Sequence, residues 1–356
     1  MRPNFIQPYN CKNILIDSIT VLRSPAWEIH PVLSQNVTIS NITINSYGPN
    51  NDGCDPECCT DVLIKNCYFN TGDDCIAIKS GKNDDGRRVN VPCQNIIIKG
   101  CHMIDGHGGV TLGSEMTGGI RNVYADSCSM TGSNLNMMLR FKTNTARGGV
   151  IENIYARNIN ELMDTQGSIY IDMFYGGETG NYNPTIRNIF VQNVISSQSK
   201  YAIYISDDKN FPLTNLQLTD CTFNNSASGY VLGNSKQVVF KNVKINGITY
   251  TAVKNEETLN TKFQLYQNYP NPFNPETNIK YEIKTPGYVT LKVYDLLGRE
   301  VSTLVNEFKP AGLYNTPFSI LPTGRQVLNS KICSGLYFYK LTSGEFTAIH
   351  KMIILK

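Results

Sequence analysis

Residues 11–245 repeat a segment in which one or two polar residues, often Asn or Asp, precede β-branched and other apolar residues at every second position. A period of two is typical of half-buried strands, whereas amphipathic helices place apolar residues three and four apart. About nine copies occur at a mean spacing of about 28 residues, which is typical of solenoids. They begin at Lys12, Gln35, Thr60, Gln94, Arg121, Glu152, Arg187, Thr214 and Gln237.

This repetition predicts an all-β fold for the first part of the chain, a right-handed parallel β-helix of the pectin-lyase-like type. Successive coils would stack about 4.8 Å apart, so residues in the same phase become neighbours. An asparagine recurs in one phase and is expected to form a side-chain ladder. Its members are Asn13, Asn36, Asn95, Asn122, Asn153, Asn188 and Asn215. The sequons at Asn36 and Asn41 are therefore interpreted as ladder and strand residues rather than glycan sites.

The pattern changes near Tyr250. A polar stretch, VKNEETLNTK, is followed by a segment rich in Pro and Asn, and Pro does not continue a ladder. Strand-like pairs separated by Gly-containing turns then predict a small antiparallel, Ig-like β-sandwich. We expect a β-helix over 1–252, a linker over 253–263 and the sandwich over 264–356.

Composition sets broad limits on function. The chain has 356 residues, 41% hydrophobic and 17% charged, with a net charge of +3. That charge is too small to indicate a nucleic-acid partner and would not repel an acidic polymer. No apolar run approaches the ~20 residues of a membrane span. We expect a monomer that uses no cofactor or metal.

The eleven cysteines are an odd number, so at least one lacks a partner within the chain. Most are interpreted as small buried residues of the core, with room for one or two disulfides near Cys54 to Cys75. Their spacing does not fit a zinc site.

Candidate chemistry lies between residues 52 and 142. Asp73 follows the leading Asp61 of its repeat by about twelve residues, and His107 follows Asn95 by the same distance. Stacking should therefore make Asp73 and His107 neighbours. Asp52 lies about one repeat before Asp73 and should be a strand spacing or two away.

Three clustered carboxylates, Asp52, Asp73 and Asp74, would repel one another, which raises at least one pKa and keeps one carboxyl protonated near neutrality. A retained proton can serve as a general acid, while the other carboxylates polarise water. His107 with Arg140 and Lys142 would offset the charge and hold an anionic substrate. Alternatively, Gly72 to Asp74 is a turn whose acids bind a structural cation such as Ca²⁺.

Four segments carry a resemblance: NNDGCDP, TGDDCIAIKSG, DGHGGVTLGSE and RFKTN. They are similar, in the same order, to the signature blocks of the polygalacturonase family, glycoside hydrolase family 28, and the likeness covers about residues 2–247. The resemblance implies a β-helix enzyme that hydrolyses α-1,4-galacturonosyl linkages in pectin with inversion. An inverting pair of carboxyls should be ~6.5–9.5 Å apart.

The same resemblance implies roles for individual residues. Asp73 resembles the general acid, Asp52 and Asp74 resemble the pair that activates water, and His107 would tune the acid. Arg140 and Lys142 would bind the galacturonate carboxylate. The full set of implied substrate contacts is Asn51, Gly106, Gly108, Arg140, Lys142 and Tyr175. Asn51 would position either Asp52 or the substrate. For Tyr175 the alternative is a packed aromatic ring, and Tyr170 lies close to it in the chain.

Three departures from the family pattern stand out. Asn51 replaces a threonine, and Phe141 replaces the usual isoleucine in a packing position. Family members usually carry a signal peptide and a long segment before a block resembling RPNFIQPYNCKNILI. The chain is therefore expected to start inside the solenoid, with its first coil uncapped and its strand edge exposed.

The C-terminal end resembles the type A sorting domain of the type IX secretion system, through NYPNPFNP, VYDLLGREV and the terminal KMIILK. This implies that the protein is secreted or held at the cell surface, with the type IX machinery as a partner. Residues 321–333 look like an insertion before the last strands.

Two other functions are compatible with the residues. A noncatalytic carbohydrate-binding or surface β-helix would bind pectin without turnover. A Ca²⁺-dependent pectate lyase would give unsaturated products and lose activity with a chelator. Whether cleavage is endo or exo does not follow from the sequence.

Overall fold

The computed structural model describes residues 2–251, 253–254, 263–283, 287–309, 312–320, 332–344 and 346–355. The chain forms two compact units, Met1–Thr258 and Leu259–Lys356.

The first unit contains a large sheet, here called the ladder sheet, built from all nine predicted repeats. Each repeat pairs in parallel with the next, as in the register Ile14, Val37, Val62 and Ile96. The predicted parallel β-helix is confirmed. Its strands are Lys12–Asp17, Thr20–Leu22, Gln35–Ser40, Thr43–Ser46, Thr60–Lys65, Tyr68–Thr71, Cys93–Lys99, His102–Met103, Ile120–Asp126, Ser129–Met130, Val150–Glu161, Thr185–Ser196, Thr214–Thr219, Thr222–Phe223, Lys236–Lys241, Val243–Ile245, Ile248–Tyr250 and Val253–Lys254.

A second sheet, the site sheet, contains six parallel strands, one from each of six successive coils. They are Ile76–Ile78, Val110–Gly113, Met137–Lys142, Gly167–Asp172, Tyr201–Ser206 and Tyr230–Val231. Alternate side chains point inward, because successive residues of a strand face opposite sides of the sheet. Val110, Leu139, Ile169 and Ile203 therefore share one register position and are buried in the common core.

The expected asparagine ladder is present on the ladder sheet. Asn153 donates its side-chain amide to Asn122 at 3.1 Å and accepts the amide of Asn188 at 3.0 Å. Asp61 takes the ladder position of the third coil and accepts from Asn95 at 3.0 Å. All of these residues have φ between 57° and 60°. Asn and Asp tolerate this left-handed conformation better than other residues with a side chain, which explains their recurrence.

The parallel stack ends with two antiparallel strands. Ile248–Tyr250 pairs with Val243–Ile245, and Val253–Lys254 pairs with the strand Lys236–Lys241. Two residues expected in the linker therefore pair with the β-helix; residues 255–262 lie outside the described part of the chain.

Helical structure in the described residues consists of an α-helix over Asn83–Val89 and a 3₁₀ turn over Tyr175–Gly177. Neither was expected from the sequence. Within the described residues, no helix has the length and apolar character that crossing a membrane requires.

The cysteines are all free, so the disulfides considered near Cys54 to Cys75 do not form. Nine of the eleven are buried, and Cys11 and Cys333 are exposed. Their interpretation as small core residues is confirmed for those nine.

The second unit consists of two antiparallel sheets that fit the expected β-sandwich. One contains Gln264–Leu265, Glu276–Ile283 and Gly312–Ser319, and the other contains Gly287–Tyr294, Glu300–Lys309, Gly335–Ser343 and Phe346–Ile354. Its core includes the fully buried rings of Phe273, Phe318, Tyr281 and Tyr339. Of the expected insertion, residues 321–331 lie outside the described residues.

Candidate active site

Three carboxylates converge at turns that lead into the site sheet. Asp52 and Asp74 occupy adjacent coils, because the backbone N–H of Gly53 donates to the carbonyl of Asp74 at 2.9 Å. One oxygen from each of Asp52, Asp73 and Asp74 lies within 4.8 Å of the others. Asp52 and Asp74 are buried, and Asp73 is partly exposed. The structure thus brings together the acids that the sequence singled out; their catalytic roles remain predictions.

His107 is the partner of Asp73. Its Nδ1 lies 2.9 Å from Asp73 Oδ1, and its backbone N–H donates to the Asp73 carbonyl at 3.0 Å. The hydrogen bond with Asp73 raises the pKa of the imidazole, whose side chain is about half exposed. The flanking glycines permit this approach: a Cβ on Gly106 would lie 2.6 Å from the Asp73 carbonyl oxygen, and one on Gly108 would lie 2.9 Å from Asp74 Oδ1.

Arg140 and Lys142 both bind Asp74. Arg140 Nη1 lies 3.0 Å from Oδ1, and Lys142 Nζ lies 2.6 Å from Oδ2. Burial alone would raise the pKa of Asp74, but the charges of Lys142 and Arg140 outweigh it and lower that pKa. Asp74 is therefore ionised. Arg140 and Lys142 were expected to bind substrate, and in the structure both form ion pairs with Asp74.

Tyr175 lies beside the two cations. Its ring centroid is 5.4 Å from Arg140 Cζ and 5.3 Å from Lys142 Nζ. The backbone of Tyr175 is held by the N–H bond to the Thr143 carbonyl at 2.9 Å and by the Asn144 amide, which donates to the Tyr175 carbonyl at 2.8 Å. The contact with substrate that the resemblance implies stays a prediction.

A buried lysine that sequence reasoning missed lies behind Asp52. Lys79 Nζ is 3.6 Å from Asp52, 3.5 Å from Asp55 and 3.3 Å from Glu115, and it lies 4.4 Å from the ring centroid of Trp27. Its signal in the sequence is faint. It is simply the polar residue after the apolar run IAI, in a position that alternation assigns to the outside of the coil.

Burial, rather than mutual repulsion, is the largest cause of the raised carboxyl pKa values. It raises the pKa of Asp52 to about 6, opposed by Lys79 and supported by Asp74 and Asp73. It also raises the pKa of Asp55 well above its usual range. One carboxyl of the cluster thus has a raised pKa, as expected, but it is Asp52, which the resemblance assigns to the activation of water, and repulsion is the smaller cause.

The nearest oxygens of the three carboxylates lie closer together than the ~6.5–9.5 Å expected between the carboxyl groups of an inverting pair. Their closest oxygens lie within 4.8 Å because Asp52 and Asp74 come from adjacent coils and Asp73 adjoins Asp74. A water with hydrogen bonds of about 2.7 Å to two carboxylate oxygens can bridge up to about 5.4 Å. A bridging water therefore fits this spacing.

Asn51 does not have the exposed position expected of a substrate contact. Its side chain is buried, and its amide donates to the carbonyls of Ser24 at 2.7 Å and Ala26 at 3.1 Å. The amide thus ties the turn before Asp52 to the preceding coil. That Asn51 positions either Asp52 or the substrate stays a prediction, and these two hydrogen bonds favour the first of the two roles.

Comparison with known proteins gives the same picture for the first unit. Residues 1–249 match the family model described as glycosyl hydrolases family 28. A probable polygalacturonase of Vitis vinifera is 30% identical over 256 residues, covering 70% of this chain and 50% of that protein. A polygalacturonase of Ralstonia nicotianae is 32% identical, covering 54% and 40%. The chain spans about half the length, or less, of these curated relatives.

A solved structure, that of a hyperthermoactive exopolygalacturonase from Thermotoga maritima, is 40% identical with a TM-score of 0.68. The match covers 71% of this chain and 59% of that one.

Residues 267–355 match the secretion system C-terminal sorting domain. This domain indicates secretion and attachment at the cell surface.

Proposed function

The chain belongs to glycosyl hydrolase family 28, and from this premise we propose that it hydrolyses α-1,4-galacturonosyl linkages in pectin. The observation that carries the proposal is the cluster of three carboxylates. In this cluster His107 contacts Asp73, and two cationic side chains form ion pairs with Asp74. The cluster places the partly exposed Asp73 beside the buried Asp52 and Asp74, and glycoside hydrolysis uses one carboxyl as the acid and another as the base.

In the proposed reaction, Asp73 donates a proton to the glycosidic oxygen. His107 orients Asp73 through the bond at 2.9 Å. Asp74, held ionised by its cations, and Asp52 position and deprotonate the attacking water. Arg140 and Lys142 remain close enough to the cluster to attract the carboxylate of a galacturonate unit.

The decisive experiment incubates the purified chain with polygalacturonate, measures new reducing ends and follows the anomeric configuration of the first products by NMR. Inverted products support a water-mediated single displacement. Retained products would show that the short carboxylate spacing supports a covalent intermediate instead. Product sizes would distinguish endo from exo cleavage.

A calcium-dependent lyase is the weaker candidate. Both oxygens of Asp74 are occupied by Arg140 and Lys142, so a cation at the cluster would have to displace them. Products that absorb in the ultraviolet and disappear with a chelator would favour the lyase. Pectin binding without any product would favour the noncatalytic β-helix.

For the C-terminal unit we propose export through the type IX system. The test expresses the full chain, behind a leader that the host exports to its periplasm, in a type IX-competent bacterium and in a strain that lacks the system. Surface or medium protein only in the competent strain supports the proposal, and equal export in both contradicts it.

A further inference from the structure

The outward side chains of the site sheet form two parallel rows along the stack of coils. We call them the first floor row and the second floor row. The first contains, in successive coils, Ala77, Thr111, Arg140, Tyr170 and Tyr204. The second contains Gly113, Lys142, Asp172 and Ser206. The two cations near the carboxylates thus occupy the same coil, and each row continues past them.

Beyond Arg140, the first floor row becomes aromatic. Tyr170 and Tyr204 are half-buried and stack with ring centroids 4.7 Å apart, and Tyr201 adjoins Tyr204 at 5.0 Å. Because each ring covers the face of its neighbour, the row offers ring edges and hydroxyl groups rather than free ring faces. Burial raises the pKa of Tyr170 to about 12, so its hydroxyl is neutral and can donate a hydrogen bond.

Beyond Lys142, the second floor row changes the sign of its charge. Asp172 follows Lys142, and one of its oxygens accepts the backbone N–H of Phe174 at 2.9 Å. Past Arg140 and Lys142, the described positions of both rows contain no cation. Lys200 belongs to neither row, and its Nζ lies 5.4 Å from the ring centroid of Tyr201.

A carboxylate lying over Tyr170 would therefore face the carboxylate of Asp172, while the nearest cations of the two rows, Arg140 and Lys142, lie in the preceding coil and form ion pairs with Asp74. Repulsion between such partly exposed charges is worth roughly 1 kcal/mol, or about fivefold in an equilibrium. An uncharged sugar avoids this repulsion and can still exchange hydrogen bonds with the tyrosine hydroxyls. The spacing of coils is comparable with the length of one sugar unit along a polysaccharide.

We propose that Tyr170, Tyr204 and Asp172 form a subsite for an uncharged sugar unit, next to the position that takes galacturonate at Arg140 and Lys142. The uncharged unit is either a methyl-esterified galacturonate or a neutral sugar within the polymer. The inference rests on the proposed hydrolysis of galacturonan and adds that the preferred chain is charged at one position and neutral at the next.

The experiment uses the full chain and three sets of oligogalacturonates of equal length: unesterified, carrying one methyl ester at a known position, and interrupted by one rhamnose. We expect kcat/KM to be about fivefold higher for an ester or rhamnose at the subsite than for the unesterified chain. Preference for the ester or for rhamnose identifies which uncharged unit is bound; either supports the subsite.

Two variants test the residues directly. Asp172→Asn should raise kcat/KM for the unesterified chain by about fivefold and leave the ester unchanged. Tyr170→Phe keeps the ring and should weaken binding of both chains alike, so it serves as the matched control for charge. If Asp172→Asn changes kcat/KM for the unesterified and the esterified chain by the same factor, the inference is overturned.

Failure of the subsite and failure of the proposed function give different results. If no galacturonan yields products, the hydrolase proposal itself fails. If all chains are cleaved with equal kcat/KM, hydrolysis stands and the subsite is wrong. If the unesterified chain is preferred and Lys200→Gln removes that preference, Lys200 binds a carboxylate at this position and the inference is also overturned.

Discussion

The ladder sheet and the site sheet follow the same stacking rule with opposite results. Along the asparagine ladder, one residue type repeats from coil to coil and bonds to copies of itself, as in Asn122, Asn153 and Asn188. Along the first floor row, the residue changes at every step from Thr111 to Arg140 to Tyr170. Repetition satisfies backbone turns and stabilises the coil, whereas departure from repetition creates a chemically distinct position at each level of the stack.

The largest expected effect comes from removing the acid in the site. Asp73→Asn keeps the shape but cannot donate the proton, and general acid catalysis contributes about 10²- to 10⁴-fold. We expect kcat on polygalacturonate to fall by at least about 100-fold while pectin binding is retained.

The ladder provides the matched control, because Asp61 also contacts its neighbour through a carboxylate oxygen. In Asp61→Asn the amide oxygen can still accept from Asn95, so activity should stay within about twofold, as expected for a surface change remote from the site. Equal losses in the two variants would indicate that Asp→Asn changes damage the fold in general, and would remove the support for Asp73 as the acid.

In the ladder itself, Asn153→Ala should reduce stability rather than specific activity. The variant loses two side-chain hydrogen bonds, worth about 1 kcal/mol each, and places Ala at a φ of 58° at a further cost of about 1–2 kcal/mol. We expect the free energy of unfolding in urea to fall by about 3 kcal/mol.

Asn153→Gly separates the two contributions, because glycine accepts positive φ and still lacks the amide. Its loss should be smaller than that of the alanine variant. An alanine variant as stable as the parent would mean that the ladder does not stabilise the coil, and the contrast with the site sheet would then be one of sequence only.

How far the sequence could predict each region follows from the same contrast. The ladder was predictable because Asn13, Asn36 and Asn95 recur in phase, and the convergence of Asp73 with His107 followed from equal distances after Asp61 and Asn95. In a stack of repeated coils, residues at the same position of successive repeats become neighbours in space. Phase therefore predicted both the fold and the neighbours in the cluster.

Side-chain direction and burial were less accessible. Lys79 was missed because a single lysine after an apolar run has no phase partner, and only the structure shows it among Asp52, Asp55 and Glu115. Asn51 was expected to position either Asp52 or the substrate, and only the structure shows that its amide turns toward the preceding coil. At a turn, the side chains of neighbouring residues point in different directions, and the repeat pattern does not predict the direction of each side chain.

The pH dependence tests the charge distribution of the site. Burial raises the pKa of Asp52 to about 6, and the carboxyl must be ionised to activate water. As pH falls below about 6, Asp52 gains a proton, so kcat/KM should decrease toward a tenfold loss per pH unit. Rates measured from pH 4 to 8 check this. An acid limb near the ordinary Asp value of about 3.9 would show that Asp52 is not the residue whose ionisation limits the rate.

The smallest expected effect is at Tyr175, which contacts the cations without contacting the carboxylates in the described contacts. Its ring lies 5.4 Å from Arg140 Cζ and 5.3 Å from Lys142 Nζ. Removing the ring in Tyr175→Ala forfeits a cation–π interaction worth about 0.5–1 kcal/mol, so KM should rise about two- to fivefold with kcat nearly unchanged.

Tyr175→Phe retains the ring and distinguishes packing from hydrogen bonding. If the tyrosine acts through its ring, the phenylalanine variant should have the parent KM. A rise in KM equal to that of the alanine variant would instead assign the contribution to the hydroxyl, as expected for a direct bond to substrate. A large fall in kcat in either variant would contradict its place outside the reacting cluster, and would extend the chemically distinct part of the site sheet to the 3₁₀ turn at Tyr175–Gly177.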